Sequence, residues 1–285
     1  MKRTIALLLT VMMLFALAAC GNDAAQPEET DGGTDAAAAE PAEEITLYVF
    51  AAASMTETLD KIIELYKDVA PNVTIIPTYD SSGTLKTQIQ EGAECDLFIS
   101  AAQKQMNQLD AAVDAEGGNE DGLDFVLSDT RIDLLENNVV LAVPDENPAG
   151  IETFEDLATD KLSLLCIGNE DVPVGAYSLE ILTTLDILDT LEQGGKLTYG
   201  SNVKEVTTQV KEGTVDAGII YATDAFSDDL TVVAKADTSL CSQVIYPAAV
   251  MKNTQHEEAA RAFLAFLQTD EAMAIFESVG FAPAP

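Results

Sequence analysis

The chain has 285 residues, of which 49 are acidic and 14 basic, giving a formal charge of −35. That balance excludes nucleic acid and anionic membrane surfaces as electrostatic partners. One histidine and four cysteines, with no CxxC pair, argue against a structural zinc or a histidine-rich metal site.

Met1-Lys-Arg begins a positive segment, Ile5 to Ala16 is an apolar core, and Leu17-Ala-Ala-Cys20 supplies a small-residue cleavage site. The apolar core is too short to span a bilayer, so residues 1–19 read as a signal peptide. Cysteine directly after Leu-Ala-Ala resembles a bacterial lipobox, which implies cleavage before Cys20 and diacylglycerol on its sulfur. The alternative is an ordinary signal peptide with an incidental cysteine. Acyl chains contribute about 0.8 kcal/mol per buried methylene, so lipid on Cys20 would hold the exported chain at the outer face of the cell membrane. Loss of the signal leaves 12 basic and 49 acidic residues, net −37. Residues 21–44 lack aromatic, branched aliphatic (apart from threonine) and basic side chains, and are expected to form a disordered linker. Cys95, Cys166 and Cys241 then remain, an odd number that permits at most one disulfide; apolar neighbours at 95 and 166 favour buried thiols.

From Ile45 onward, apolar runs at 45–50, 73–77, 96–100, 139–143, 162–167, 196–199, 216–221, 230–234 and 244–250 predict strands. Between them, 84–91, 103–114, 153–159, 175–189, 202–212 and 257–279 predict helices, with Thr153-Phe-Glu-Asp156 spaced as a capping box. Leu59, Ile62, Ile63 and Tyr66 place one apolar stripe on the helix after Ser54. Alternating β and α elements predict an α/β fold of two lobes, each a mostly parallel sheet flanked by helices. The expected division is lobe 1 at 45–138 and 244–285, and lobe 2 at 139–243. Stretch 115–124 reads as a loop insertion without identifiable chemistry.

Several strand ends lead into helices through small or polar residues. Ser54 and Ser82 each end a strand-turn and open a helix, where unpaired backbone N–H groups and the macrodipole favour an anion. Either serine could instead be a simple N-cap. In the second half, Gly168-Asn-Glu-Asp-Val-Pro-Val-Gly-Ala-Tyr177 joins strand to helix, with Pro173 and Gly175 allowing close backbone approach. Ser201-Asn-Val-Lys204 opens a further helix. Tyr221 ends a strand, where its phenol could reach a cleft between lobes or sit in the core.

Taken together, Phe50-Ala-Ala-Ala-Ser54, Ser81-Ser-Gly-Thr-Leu85, Asp96-Leu-Phe-Ile-Ser-Ala101, Val172-Pro-Val-Gly175, Gly218-Ile-Ile-Tyr-Ala-Thr-Asp-Ala225 and Tyr246-Pro-Ala-Ala-Val250 resemble the periplasmic molybdate-binding proteins of ABC importers, in order over about residues 45–282. The resemblance implies a type II periplasmic-binding fold that carries molybdate, and often tungstate, to a membrane permease. By motif it implies oxyanion contacts from the hydroxyls and N–H groups of Ser54 and Ser82, the N–H groups of Val174 and Val203, and the phenol of Tyr221. No side chain would coordinate the metal and no cofactor is implied. The family pattern has alanine where this chain has Val174, and a proline turn where it has Gly168-Asn-Glu-Asp171; a backbone contact tolerates the first change. The chain is expected to act as a monomer.

The chemistry also stands without the resemblance. Molybdate is a fully deprotonated dianion that needs donors only, whereas monohydrogen phosphate carries a proton that wants an acceptor. Asp80 is the acidic residue placed to supply one, or is a turn residue. An enzyme is not expected: Ser201-Asn-Val-Lys204 matches Ser-x-x-Lys, but no Lys-Thr-Gly accompanies it, and His256 lies in a polar segment unsuited to a catalytic base.

Overall fold

A computed structural model describes residues 43–285. The expected signal peptide, Cys20 and nearly all of the linker lie outside the described residues.

In chain order the elements are β1 (Ile45–Ala52), α1 (Thr56–Val69), β2 (Val73–Asp80), α2 (Ser82–Gln90), β3 (Leu97–Ile99), α3 (Gln103–Asn107), β4 (Ile132–Asn137) and β5 (Val139–Val143). Next come β6 (Leu165–Gly168), α4 (Pro173–Thr184), α5 (Leu188–Gln193), β7 (Leu197–Gly200), α6 (Val203–Lys211), β8 (Ala217–Tyr221) and α7 (Ala222–Ser227). The chain closes with β9 (Thr231–Lys235), β10 (Val244–Val250), α8 (Glu257–Phe266), α9 (Asp270–Glu277) and β11 (Ala282–Pro283).

Among the described residues, eleven strands form two sheets, ordered β11-β4-β10-β3-β1-β2 and β7-β6-β8-β5-β9. The two-lobed α/β architecture is as expected, but the pairing is mixed rather than mostly parallel. In the first sheet β1 runs parallel to β2 and β3, while β10 is antiparallel to β3 and β4. In the second, β6 is parallel to β7 and β8, and β5 is antiparallel to β8 and β9. Parallel neighbours need a helical crossover, as α1, α4 and α6 provide. The strands that carry the chain between sheets, β4 to β5 and β9 to β10, are joined without a helix, and these run against their neighbours.

The first sheet is covered on both faces. Leu47, Val49 and Ala51 of β1 face α1 and α8, while Phe50 points the other way to Leu85, Ile89 and Phe98. The predicted stripe Leu59, Ile62, Ile63 and Tyr66 is buried in full, and Tyr66 packs on Phe263 and Phe266 at ring separations of 4.9 Å. Burial of each such side chain is worth about 1.5–3 kcal/mol.

Differences from the sequence expectation have local causes. The helix expected over 103–114 stops at Asn107, because buried Asp110 turns its carboxylate to Ala112 N–H and to Arg131 at 3.0 Å. The helix expected over 175–189 starts earlier, at Pro173, and breaks at Asp186, whose φ of 57° is left-handed, before α5 resumes. Residues 153–159 form a 3-10 turn over Phe154–Ala158, with Asp156 accepting from Glu152 and Thr153 N–H as the capping box requires. Strand β4 was not expected, since Asp133 and Glu136 break its alternation; it gains its place by pairing with both β10 and β11. Helix α7 was also not expected. In the 115–124 loop, buried Asn119 donates to Asp110 O and Leu123 O, which fixes the insertion against the first sheet's layer.

Candidate functional site

Between the two layers lies a very small cavity, of about 10 Å³, bounded by Ala52, Ala53, Ser54, Asp80, Ser81, Ser82 and Ala101 on one side and Val172, Pro173, Val203 and Tyr221 on the other. Four of the five oxyanion residues expected from sequence line it. Val174, the fifth, is the buried second residue of α4, one step past the lining Pro173. None of the lining residues is basic.

Each wall is a helix start. Ser82 is the first residue of α2, Pro173 of α4 and Val203 of α6, and Ser54 lies in the 3-10 turn that leads into α1. The first N–H groups of a helix have no intrahelical acceptor, so these ends present donors and positive dipole ends to the cavity. Proline costs nothing at the start of α4, because its missing N–H would have been unpaired there. Gly175 permits the tight turn into α4, since a Cβ there would meet Asn169 O at 2.3 Å and Gly168 O at 2.4 Å.

Neither serine is a cap. The cap of α2 is Ser81, whose Oγ accepts from Thr84 N–H at 3.1 Å. Ser82 Oγ instead accepts from Ala101 N–H at 2.9 Å across to the end of β3. Ser54 makes no capping bond and lies 2.9 Å from Tyr246 Oη. Tyr221 is fully buried, and its phenol oxygen has no hydrogen-bond partner among the described residues. Burial, together with the neighbouring Tyr246, Tyr177 and Asp224, pushes its pKa well above the ordinary phenol value, so it stays a donor. Asp80 Oδ1 accepts from Ser81 N–H at 2.7 Å, the turn role weighed for it, and from Asn202 Nδ2 at 3.4 Å.

The two layers meet tightly around this cavity. Gly83 N–H donates to Asp171 O at 3.1 Å, and Lys204 Nζ on α6 lies 2.8 Å from Glu57 Oε1 on α1. Lys204 also lies 3.2 Å from Asp224 Oδ1, in an ion pair without hydrogen-bond alignment. None of these cross-layer partners was legible in sequence, nor were the partners of the serines, Ala101 and Tyr246. Hydrophobic spacing carries no information on which polar groups from distant segments meet. A larger cavity of about 280 Å³ near Tyr48 and Phe125 has two carboxylates, Glu94 and Asp96, in its lining, whereas the small cavity has one, Asp80, whose Oδ1 already accepts from Ser81 N–H. Volume therefore does not choose the site here; the donor set does.

Two α/β layers closing on a donor-lined cavity between them define a two-lobed solute-binding protein. The chain belongs to the family of bacterial extracellular solute-binding proteins, whose profile matches residues 47–282. It is 38% identical over 240 residues to YvgL of Bacillus subtilis, provisionally named an ABC transporter substrate-binding lipoprotein, covering 83% of this chain and 86% of that one. It is 32% identical over 238 residues to the molybdate-binding protein ModA of Haemophilus influenzae, covering 82% and 88%. Among solved structures it is similar to the substrate-binding domain of a provisionally named molybdenum ABC transporter from Clostridium difficile. That likeness has a TM-score of 0.63 and 37% identity, over 85% of this chain and 100% of that chain.

Proposed function

We propose that this protein captures molybdate, and tungstate with it, in the cavity between its lobes and delivers it to the permease of an ABC importer. The observation that carries the reading is the donor set: helix starts from both layers, two serine hydroxyls and an unpartnered buried phenol, with no basic lining residue. Such a set suits a fully deprotonated tetrahedral dianion, each hydrogen bond to charge being worth roughly 1.5–3 kcal/mol. The names of the Haemophilus and Clostridium relatives support the same ligand. In this reading Ser54, Ser82, Val174, Val203 and Tyr221 make the oxyanion contacts, and the protein is a carrier without catalytic activity.

The lobes are taken as 45–138 with 244–285, and 139–243, in keeping with the single residue between β4 and β5, at which the chain leaves the first sheet. The protein works as a monomer held by lipid on Cys20 at the outer face of the cell membrane; the Leu-Ala-Ala-Cys20 sequence and the lipoprotein name of the Bacillus relative support this. Calorimetric titration tests the ligand: tight binding of molybdate and tungstate, with sulfate and phosphate at least 100-fold weaker, is expected. No heat with molybdate would overturn the reading.

A further inference from the structure

Asn137, the last residue of β4, begins a line of polar groups that ends at the cavity. Its amide is oriented by the backbone, because Oδ1 accepts from Asn138 N–H at 2.8 Å. Nδ2 therefore faces the other way and donates to Thr223 Oγ1 at 2.9 Å and to Tyr246 Oη at 3.2 Å. An amide nitrogen can only donate, so Tyr246 Oη accepts from Asn137 and has one proton left to give. Ser54 Oγ, 2.9 Å away, is the hydroxyl within reach of that proton. Ser54 then has its own proton free, directed to the cavity that it lines. The line is shielded from bulk solvent, since Tyr246 is fully buried and Asn137 nearly so. The Tyr246 ring is held edge-on by Tyr221 at 5.8 Å and Phe281 at 5.2 Å.

We infer that Tyr246 and Asn137 are positioning residues that fix the direction of the Ser54 hydroxyl proton, making Ser54 a donor to the bound anion and biasing the site against anions that carry a proton. Ser82 repeats the device with backbone: Ala101 N–H occupies its oxygen, which frees its proton. A fully deprotonated dianion can accept at every oxygen, whereas monohydrogen phosphate must place one O–H on an acceptor, and the carboxylate in the lining, Asp80, has its Oδ1 engaged by Ser81 N–H and Asn202. The inference rests on the reading of the cavity as an oxyanion site.

The test is calorimetric titration of wild type, Tyr246→Phe and Asn137→Asp with molybdate, and with phosphate in competition at a pH where it is monohydrogen. Tyr246→Phe keeps the ring packing and leaves the Ser54 oxygen free to accept; molybdate binding should weaken about tenfold with phosphate unchanged or tighter. Asn137→Asp turns the donor into an acceptor and reverses the line, so the molybdate-to-phosphate ratio should narrow again. A wild-type ratio in both variants, or equal losses for both anions as a merely structural role would give, overturns the inference. If both variants fail to fold, proton NMR of the wild type decides: the Tyr246 hydroxyl proton should show cross-peaks to the Ser54 β-protons, and cross-peaks confined to Asn137 would overturn the inference. A wild type that does not bind molybdate defeats the oxyanion reading; one that binds, with unmoved ratios in the variants, defeats this inference alone.

Discussion

Lys204 Nζ lies 3.2 Å from Asp224 Oδ1, and the aspartate is fully buried while the lysine also reaches Glu57 across the cleft at 2.8 Å. One cation thus neutralises a carboxylate behind the cavity and ties α6 to α1. The outer pair is worth little, about 0–1 kcal/mol, because Glu57 is 43% exposed at its side chain. The inner pair matters more, since Asp224 has no access to water.

Burial pushes the Asp224 carboxyl up from 3.8 to about 6, against the opposing pull of Lys204. The folded state therefore binds more protons than the unfolded state between those values. The contribution of this group to stability is fully present below pH 4 and is lost as pH rises through about 6, a change on the order of 3 kcal/mol. Asp224→Asn should remove that dependence: thermal melts of wild type minus variant between pH 4 and 7 should show it, and identical slopes would refute it.

Lys204→Met removes the counter-charge of a buried carboxylate. Destabilisation of about 3–5 kcal/mol is expected at pH 8, falling at pH 5, where Asp224 takes up a proton instead. Urea denaturation at the two pH values checks this, and an equal loss at both would contradict it.

Gly83 marks the closest backbone approach of the two layers. A Cβ there would lie 2.2 Å from Asp171 O, and backbone on both sides cannot give way. In the helix itself alanine is favourable by about 0.5–1 kcal/mol, so Gly83→Ala should fold normally while holding the two layers apart at this contact. Scattering with saturating molybdate should report a larger radius of gyration than wild type, with affinity at least tenfold weaker; a matching radius and affinity would show that this contact does not set the spacing of the layers.

Ser54→Ala and Ser82→Ala should each weaken molybdate binding by more than tenfold, through loss of one charge-assisted hydrogen bond of roughly 1.5–3 kcal/mol. Their stabilities should both fall, because Ser82→Ala strands the Ala101 N–H and Ser54→Ala strands the Tyr246 phenol, at about 1–3 kcal/mol each. Titration together with denaturant melts separates the two effects, and unchanged affinity in both variants would remove the serines from the site.

Cys95, Cys166 and Cys241 are all free thiols. Burial pushes Cys95 up, raises Cys166 to about 12 and raises half-buried Cys241 to about 11. Thiolate is the reactive form, so the folded protein should react slowly with a thiol reagent, Cys241 first and the other two only on denaturation. Fast labelling of Cys166 in the native state would contradict this.

Residue spacing along the chain determined the strands and helices whose apolar period is strong. The stripe Leu59, Ile62, Ile63 and Tyr66, the nine apolar runs and the helix starts near Ser82 and Val203 were legible there, because each rests on neighbours within a few residues, while the start of α4 at Pro173 was placed two residues late. Local logic marked Ser54 and Ser82 as helix starts suited to an anion and left the choice between cap and donor open; it was the family resemblance that grouped them with Val174, Val203 and Tyr221. Tertiary structure decided that choice, by bringing Ala101 to Ser82 and Tyr246 to Ser54 over separations of 19 and 192 residues. It also decided the mixed pairing of the sheets, the place of β4, and the charge line from Glu57 through Lys204 to Asp224. Hydrogen-bond direction and the burial of charge depend on which distant groups share a desolvated space, and no local period along a chain encodes that.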